Sequence, residues 1–388
     1  MKYETSKFCI QGGSILLPDG GIQETDILIS DGKIDAIGSS PNKTVKKLNA
    51  SGYMVLPGIV DLHGDAFERQ IMPRPGVSFP LTLAFLDTDR QLVANGITTA
   101  YHGITYSWEP GLRGRETVTK VMTALKNVSK RLGADTKCHL RFETFNFAAG
   151  DEVLNWILDR NIDFLAFNNH LPSIRKKIQE NQSLSQFLER SGLEKDAFLQ
   201  LVEKLFEREH ETTKLVEKLA KTARDHSISM ASHDDKTAAT RQFYNSLGCY
   251  ISEFPLTAEA INQAQELGNH IVLGAPNIIR GGSHMGVSCL SAAESIKAGK
   301  GDIICSDYYY PALMQAPFKL VADKILEFGD SWGMVSKAPA QAAGLVDRGE
   351  IVEGKRADLI LVEELGLGQL DLKATFVNGR MVFQSCCL

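Results

Sequence analysis

Short apolar runs recur between residues 58 and 307, and amphipathic helical patterns separate most of them. The runs are Gly58–His63, Ile97–Gly103, Cys138–Glu143, Ile162–Asn168, Ile228–His233, Cys249–Phe254, His270–Ala275 and Asp302–Asp307. Stretches such as Glu116–Leu132 and Phe198–His226 carry the helical periodicity. Strands that alternate with helices pair in parallel, because each crossover returns the chain to the same end of the sheet. Eight such units over residues 57–345 predict an α/β (β/α)8 TIM barrel. A doubly wound open sheet is the alternative. It would carry a glycine-rich phosphate turn after an early strand, and neither GxGxxG nor GxxxxGK[ST] occurs. About 57 residues separate His170 from Ile228, too many for one crossover helix. This predicts a helical excursion at about 171–227, either a lid over one face of the barrel or a solvated hairpin.

The chain ends read differently. Phe8–Ile10, Ser14–Leu17, Asp26–Ser30 and Lys33–Ile37 are short β-former runs, broken by Pro18-Asp19-Gly20-Gly21 and by Asp31-Gly32. Ala357–Val362 and Ala374–Phe383 repeat the pattern, the second with the hairpin signal Asn378-Gly379. Neither end has enough strands to stand alone. Residues 1–56 and 346–388 therefore predict one small β domain built from both termini, with the barrel inserted between them.

Composition narrows the function. The 388 residues include 42 Lys+Arg and 47 Asp+Glu, a net charge of −5, which excludes a broad basic surface for nucleic acid. At 43% hydrophobic and 23% charged, the chain can fill a large core and does not read as disordered. No apolar run approaches the roughly 18–20 residues of a membrane helix, and Met1–Ile10 shows no secretory apolar segment. Seven cysteines without CxxC spacing predict reduced thiols in a cytoplasmic protein, with Cys386 and Cys387 as a mere tail.

The chemistry sits where the strands stop. Five of them end in metal-ligand residue types: His63 with Asp65, Glu143, His170, His233 and Asp307. In a (β/α)8 barrel those ends converge on one mouth. His63 and Asp65 lie two apart and point the same way if extended. On the third strand His139, Arg141 and Glu143 share one face, and Cys138, Leu140 and Phe142 share the other. A polar face turned into the barrel is costly unless it is paired or binds a metal. Arg141 is read as an ion pair with a nearby carboxylate, and Glu143 as a metal ligand. The His/Asp/Glu mixture without thiolates suits one or two divalent ions in a hydrolytic site, zinc first, with manganese or iron as alternatives. Asp307 is placed both as a ligand and as the proton acceptor from the attacking water. His102 is read as structural, and His210 and His226 as solvated or capping.

A second constellation follows the seventh strand, Ala275-Pro276-Asn277-Ile278-Ile279-Arg280-Gly281-Gly282-Ser283-His284. Arg280 and His284 are candidates to hold an anion beside the Gly-Gly pair, and Arg74 in Met72–Gly76 is another. Tyr308, in Ser306–Pro311, offers aromatic surface for substrate beside Asp307, with ordinary packing as the alternative.

Val55–His63, Asn95-Gly96-Ile97-Thr98-Thr99 and Gly349–Leu359 together resemble signatures of the amidohydrolase superfamily. The resemblance implies a TIM barrel, a β-sandwich from both chain ends and a hydrolytic metal site of one or two ions. His63-Gly64-Asp65, Pro73–Gly76, Ala231–Asp235, Gly274–His284 and Ser306–Tyr309 are similar to the alkylphosphonate-utilisation branch. That likeness implies hydrolysis of α-D-ribose 1-methylphosphonate 5-triphosphate to the 5-phosphate and pyrophosphate. It also implies the ligand set His63, Asp65, Glu143, His170, His233 and Asp307. Asp65 stands where the superfamily has a second first-strand histidine. The superfamily usually takes its second histidine pair from the fifth and sixth strands, whereas here His170 falls on the fourth. The stretch Tyr101–Arg115, with Trp108 and Arg113, departs from the branch.

Three functions remain open on the sequence. The first is a phosphoanhydride hydrolase acting on a small anionic substrate. The second is an amidohydrolase or deaminase attacking a C–N bond with the same metals, and the third is a binding or scaffold protein with a relic site. Superfamily precedent adds a homo-oligomer as an expectation.

Overall fold

The computed structural model describes residues 7–39, 45–282, 290–366 and 369–385. His284, Cys386 and Cys387 lie outside them.

The N-terminal strands are β1 (Phe8–Leu16), β2 (Ile22–Ser30), β3 (Lys33–Ile37), β4 (Lys46–Asn49) and β5 (Met54–Pro57). The two runs expected at Phe8–Ile10 and Ser14–Leu17 are one strand. A bulge between Ile10 and Gly13 breaks the register, and Gly12 takes φ +70°, a conformation that favours glycine. The barrel strands follow: β6 (Ile59–Gly64), β7 (Ile97–Tyr106), β8 (Asp135–Glu143), β9 (Phe164–Asn168), β10 (Ser229–His233), β11 (Ile251–Glu253), β12 (His270–Gly274) and β13 (Ile303–Cys305). The chain closes with β14 (Leu359–Gly366), β15 (Gln369–Val377) and β16 (Arg380–Gln384). The run Ala374–Phe383 is thus two strands, divided at Asn378 (φ +51°) and Gly379 (φ +70°), the paired left-handed residues of a tight hairpin.

The terminal strands form one mixed sheet, ordered β16-β15-β14-β5-β1-β2-β3, with β4 also on β1. The other sheet runs β13-β12-β11-β10-β9-β8-β7-β6, all pairs parallel. Its ends nearly meet: Gly64 bridges to Asp307, the Asp307 N–H donates to the His63 carbonyl at 2.9 Å, and the Asp65 N–H donates to the Asp307 carbonyl at 3.0 Å. Beside this seam the buried Asp61 carboxylate accepts the Ser306 N–H (2.9 Å) and hydroxyl (2.5 Å). The strand count of eight stands, so His170 does follow the fourth barrel strand.

Strand alternation sorts the side chains as expected. Leu140 and Phe142 of β8, with Ile104, Leu165 and Phe167 of its neighbours, pack outward on Val118, Val121, Val153, Ile157, Leu219 and Ala223 of the helices. Inside, Val60, Leu62, Phe164, Ala166, Ile251, Val272 and Ile303 fill the lower barrel. The polar inward residues are therefore held near the C-terminal ends of the strands.

The excursion is a packed cap. Its helices are Leu171–Gln179, Ser185–Ser191, Lys195–Phe206 and Thr212–Asp225. The pattern Phe198–His226 is two helices separated by a short turn at Glu209–Glu211. The last helix packs on the barrel as its crossover, and its C-terminal residue His226 sits within 2.9 Å of the Thr222 carbonyl, a capping role. The earlier ones bury their own small core of Leu171, Ile174, Leu184, Phe198 and Val202 with Phe145. Among the described residues no helix is long and apolar enough to cross a membrane. Cys9, Cys138, Cys249 and Cys305 are buried free thiols.

Candidate active site at the barrel mouth

The six strand-end residues come together. Glu143, last of β8, lies 2.5 Å from His170 Nδ1, and His170 Nε2 lies 3.3 Å from Asp234. His233, last of β10, approaches Asp234 at 3.3 Å through Nδ1. Asp65 and His233 are joined by Arg141, whose Nη1 donates to Asp65 Oδ2 at 2.9 Å and whose Nη2 donates to His233 Nε2 at 3.1 Å. Asp307 closes the ring through its backbone contacts with His63 and Asp65. The ion pair expected for Arg141 thus forms, with Asp65 as its partner.

Hydrogen-bond direction fixes the tautomers. A guanidinium has only donors, so His233 Nε2 accepts from Arg141 and its hydrogen lies on Nδ1, toward Asp234. His63 Nδ1 lies 3.1 Å from Glu253 Oε1, which leaves Nε2 as the lone pair facing the mouth. A carboxylate behind an imidazole, with the other nitrogen free, is how proteins prepare histidines as metal ligands. His139 Nδ1 donates to the Leu62 carbonyl at 2.9 Å. Its Nε2 faces Glu253 Oε2 across 3.7 Å, and neither atom has a hydrogen-bond partner.

The protonation pattern is that of an anionic cluster waiting for cations. Burial pushes the Asp307 carboxyl up to about 7, with the negative charge of Asp65 adding to it. Against burial, Glu143 and then the Asp234 hydrogen bond hold His170 up at about 9, so it is an imidazolium between two carboxylates. Burial, then the charge of Arg141, keeps His63 well below its ordinary value and neutral. Two groups offer three ligand atoms within 4.8 Å of one another: His170, His233 and Asp234, and the deeper His63, His139 and Glu253. Oxygen and imidazole donors, buried acceptors without partners and no thiolate fit a divalent ion.

Above this floor opens a cavity of about 500 Å³. It is lined by His170, His233, Asp234 and Asp307, by Tyr308, and by five cationic side chains: Arg113, Arg141, Lys177, Arg190 and Lys236. Lys177 and Arg190 come from the cap, together with Ser173 and Phe187. Arg113 is held by Glu68 through two hydrogen bonds (2.9 and 2.7 Å), and Arg190 is held by the buried Glu109. Lys236 donates to Ser173 at 2.5 Å, and Lys177 lies over the Phe187 ring. No ion pair with a described carboxylate engages either lysine.

The proposed anion holders fare unequally. Tyr308 lines the cavity, and Arg280, exposed, reaches its hydroxyl at 3.5 Å without lining the cavity itself. Arg74 is exposed in the turn that pairs it with Val77 and does not line the cavity. His102 is structural, wedged edge-on against Phe67 and Phe85, with burial lowering its pKa to about 4. Pattern reading missed Glu253, Lys177, Arg190 and Lys236. Glu253 did leave a trace, as an acid near the end of the apolar run Cys249–Phe254. The cap cations left none, because helix-surface charges look alike wherever they point.

No family model matches the chain. The α-D-ribose 1-methylphosphonate 5-triphosphate diphosphatase of Escherichia coli (strain K12) is 32% identical over 364 residues, covering 92% of this chain and 95% of that protein. A dihydroorotase of Pelotomaculum thermopropionicum is 42% identical, over 59 residues only, 15% of this chain and 14% of that protein. A solved amidohydrolase aligns over 98% of this chain and 100% of its own, with TM-score 0.66 and 16% identity. A Xaa-Pro dipeptidase with bound methionine aligns over the same shares with TM-score 0.67 and 14% identity. The structural likeness establishes the barrel-plus-sandwich fold, and the full-length relative establishes the kinship. The chain belongs to the family of that diphosphatase, as a metal-dependent hydrolase with the fold of the solved amidohydrolase.

Proposed function

We propose that the chain hydrolyses α-D-ribose 1-methylphosphonate 5-triphosphate, or a close sugar triphosphate, to the 5-phosphate and pyrophosphate. The carrying observation is the cationic cavity over an acid-and-imidazole floor. Five lysine and arginine side chains gather on a protein of net charge −5, and two of them have no carboxylate partner among the described residues. Such a field suits a polyphosphate and does little for a neutral amide.

The roles follow from position. Lys177 and Lys236 hold the phosphate chain, while Arg113 and Arg190, already oriented by Glu68 and Glu109, present fixed donors. His170 and Asp234, with Glu143 beside them, are suited to hold a divalent ion, zinc, manganese or iron. When bound, such an ion polarises a phosphoryl oxygen and acidifies water. Asp307 accepts the proton of the attacking water and passes it toward the leaving phosphate. A carboxyl raised to about 7 exchanges protons readily at neutral pH. Arg141 contributes positive charge beside the reacting phosphoryl group.

Phosphorus NMR of the ribose triphosphate with the protein and added zinc or manganese tests this reading. Pyrophosphate and the 5-phosphate in equal amounts are expected. Silence with both metals, or ammonia or a ring-opened acid from cyclic amides instead, overturns it.

A further inference from the structure

The most unusual member of the floor is Arg141. It stands on β8 between His139 and Glu143, points into the barrel and is 5% exposed. Its two terminal nitrogens bond Asp65 Oδ2 and His233 Nε2. These are lone pairs that a metal ion would need, and a guanidinium has no lone pair to share in return. The neighbouring strand makes room for it: a Cβ on Gly103 would lie 3.2 Å from Arg141 Cδ. Across the floor the other carboxylates have no such fixed partner. Glu143 and Asp234 share the His170 imidazole, at 2.5 and 3.3 Å, and Asp234 also meets His233 Nδ1 at 3.3 Å, but neither pairs with a described guanidinium.

We propose that Arg141 is a built-in cation of this centre, holding the Asp65 side, so that the Glu143–His170–Asp234 side takes a single divalent ion. The inference rests on the metal-hydrolase reading and goes beyond it in fixing stoichiometry and sides. Asp65 is then the anchor of Arg141. A second ion between Asp65 and His233 would have to evict the guanidinium from both partners, and one at the deeper His63, His139 and Glu253 would still stand against its charge.

The test is stoichiometry, measured without turnover. The full-length protein is stripped with chelator, dialysed and titrated with Mn(II), with calorimetry, elemental analysis and electron paramagnetic resonance as readouts. One equivalent per chain with the spectrum of an isolated Mn(II) is expected for the wild type and for Arg141→Lys. Arg141→Gln, confirmed folded by circular dichroism, is expected to gain a second equivalent and a spin-coupled signal. Two equivalents in the wild type overturn the proposal, and so does a folded Arg141→Gln that stays at one. If Arg141→Gln does not fold, the wild-type and Arg141→Lys stoichiometries decide. No bound ion in any variant overturns the metal reading itself, a distinct failure from binding two.

Discussion

The two ends of the barrel carry the same kinds of charged side chain and use them differently. At the N-terminal end Arg348 donates to Asp135 (2.7 Å) and Thr99 (2.8 Å), while Arg356 donates to Asp358 (2.8 Å) and lies 3.4 Å from Asp135. Each of these carboxylates has a guanidinium within 4 Å, and the cluster ties the first turns of the barrel to the terminal sheet. At the C-terminal end Glu253, His139, Asn168 and Arg141 keep buried polar atoms without partners, and Asp307 is driven toward neutrality. Balanced charge at one end is architecture. Unbalanced charge at the other is capacity to bind and react. The contrast also explains the C-terminal signature: Arg348, Arg356 and Asp358 lie in or beside Gly349–Leu359, so that motif marks the fold's lower seal and lies outside the lining of the mouth cavity.

The comparison can be broken in order of effect. Asp307→Asn should cut turnover on the order of 10³-fold or more with the melting temperature nearly unchanged. A comparable loss of stability, read by thermal melts beside the phosphorus assay, would place Asp307 with the structural charges. Arg348→Met should do the reverse, costing about 1–3 kcal/mol because it removes the guanidinium hydrogen bonds to Asp135 and Thr99, while Arg356 stays beside both carboxylates. Denaturant titration measures the loss, and kcat of the surviving folded enzyme should stay near wild type. Lys177→Ala and Lys236→Ala should each raise KM roughly 10-fold, about 1.4 kcal/mol, with smaller changes in kcat. Added salt should shrink both effects, since partly exposed charges are screened.

The smallest effect concerns His270, which opens β12 and contacts Asp302 at 2.6 Å. That hydrogen bond raises its pKa in the folded state above the ordinary value near 6.5. Its stabilisation is therefore complete below the unfolded pKa and fades as pH rises through the folded one. His270→Gln should lower stability by less than about 1 kcal/mol at pH 5, since the pair is partly solvated, and by nothing at pH 9. Melting curves at both values check the sign.

Barrel strands were legible because each joins an apolar run to a turn, and all eight fall within a few residues of their predicted spans. The strand-end residues were legible for the same reason, since parallel strands deliver their last residues to one place. The terminal sheet was less so. A bulge at Gly12 and a hairpin at Asn378-Gly379 change strand boundaries without changing the apolar pattern. Arg74 shows the limit of loop reading: an arginine after a strand can turn to solvent as easily as to the mouth. The cap cations show the complementary limit. Lys177 and Arg190 reach the cavity only because Leu171, Ile174, Leu184 and Phe198 pack into a core that fixes their helices over it.

The seam between β6 and β13 has a consequence for how this protein acquires activity. Asp307, at φ +54°, meets His63 and Asp65 through backbone hydrogen bonds that join strands some 240 residues apart in sequence. Contacts of such long range form late, because the chain between them must be ordered first. Asp307 and the first-strand residues His63 and Asp65 are therefore strangers until the ring closes. On refolding, helical signal should return first and hydrolysis last, making the first turnover a clock for barrel closure. A chain released before residue 307 would hold most of its helices and none of its chemistry.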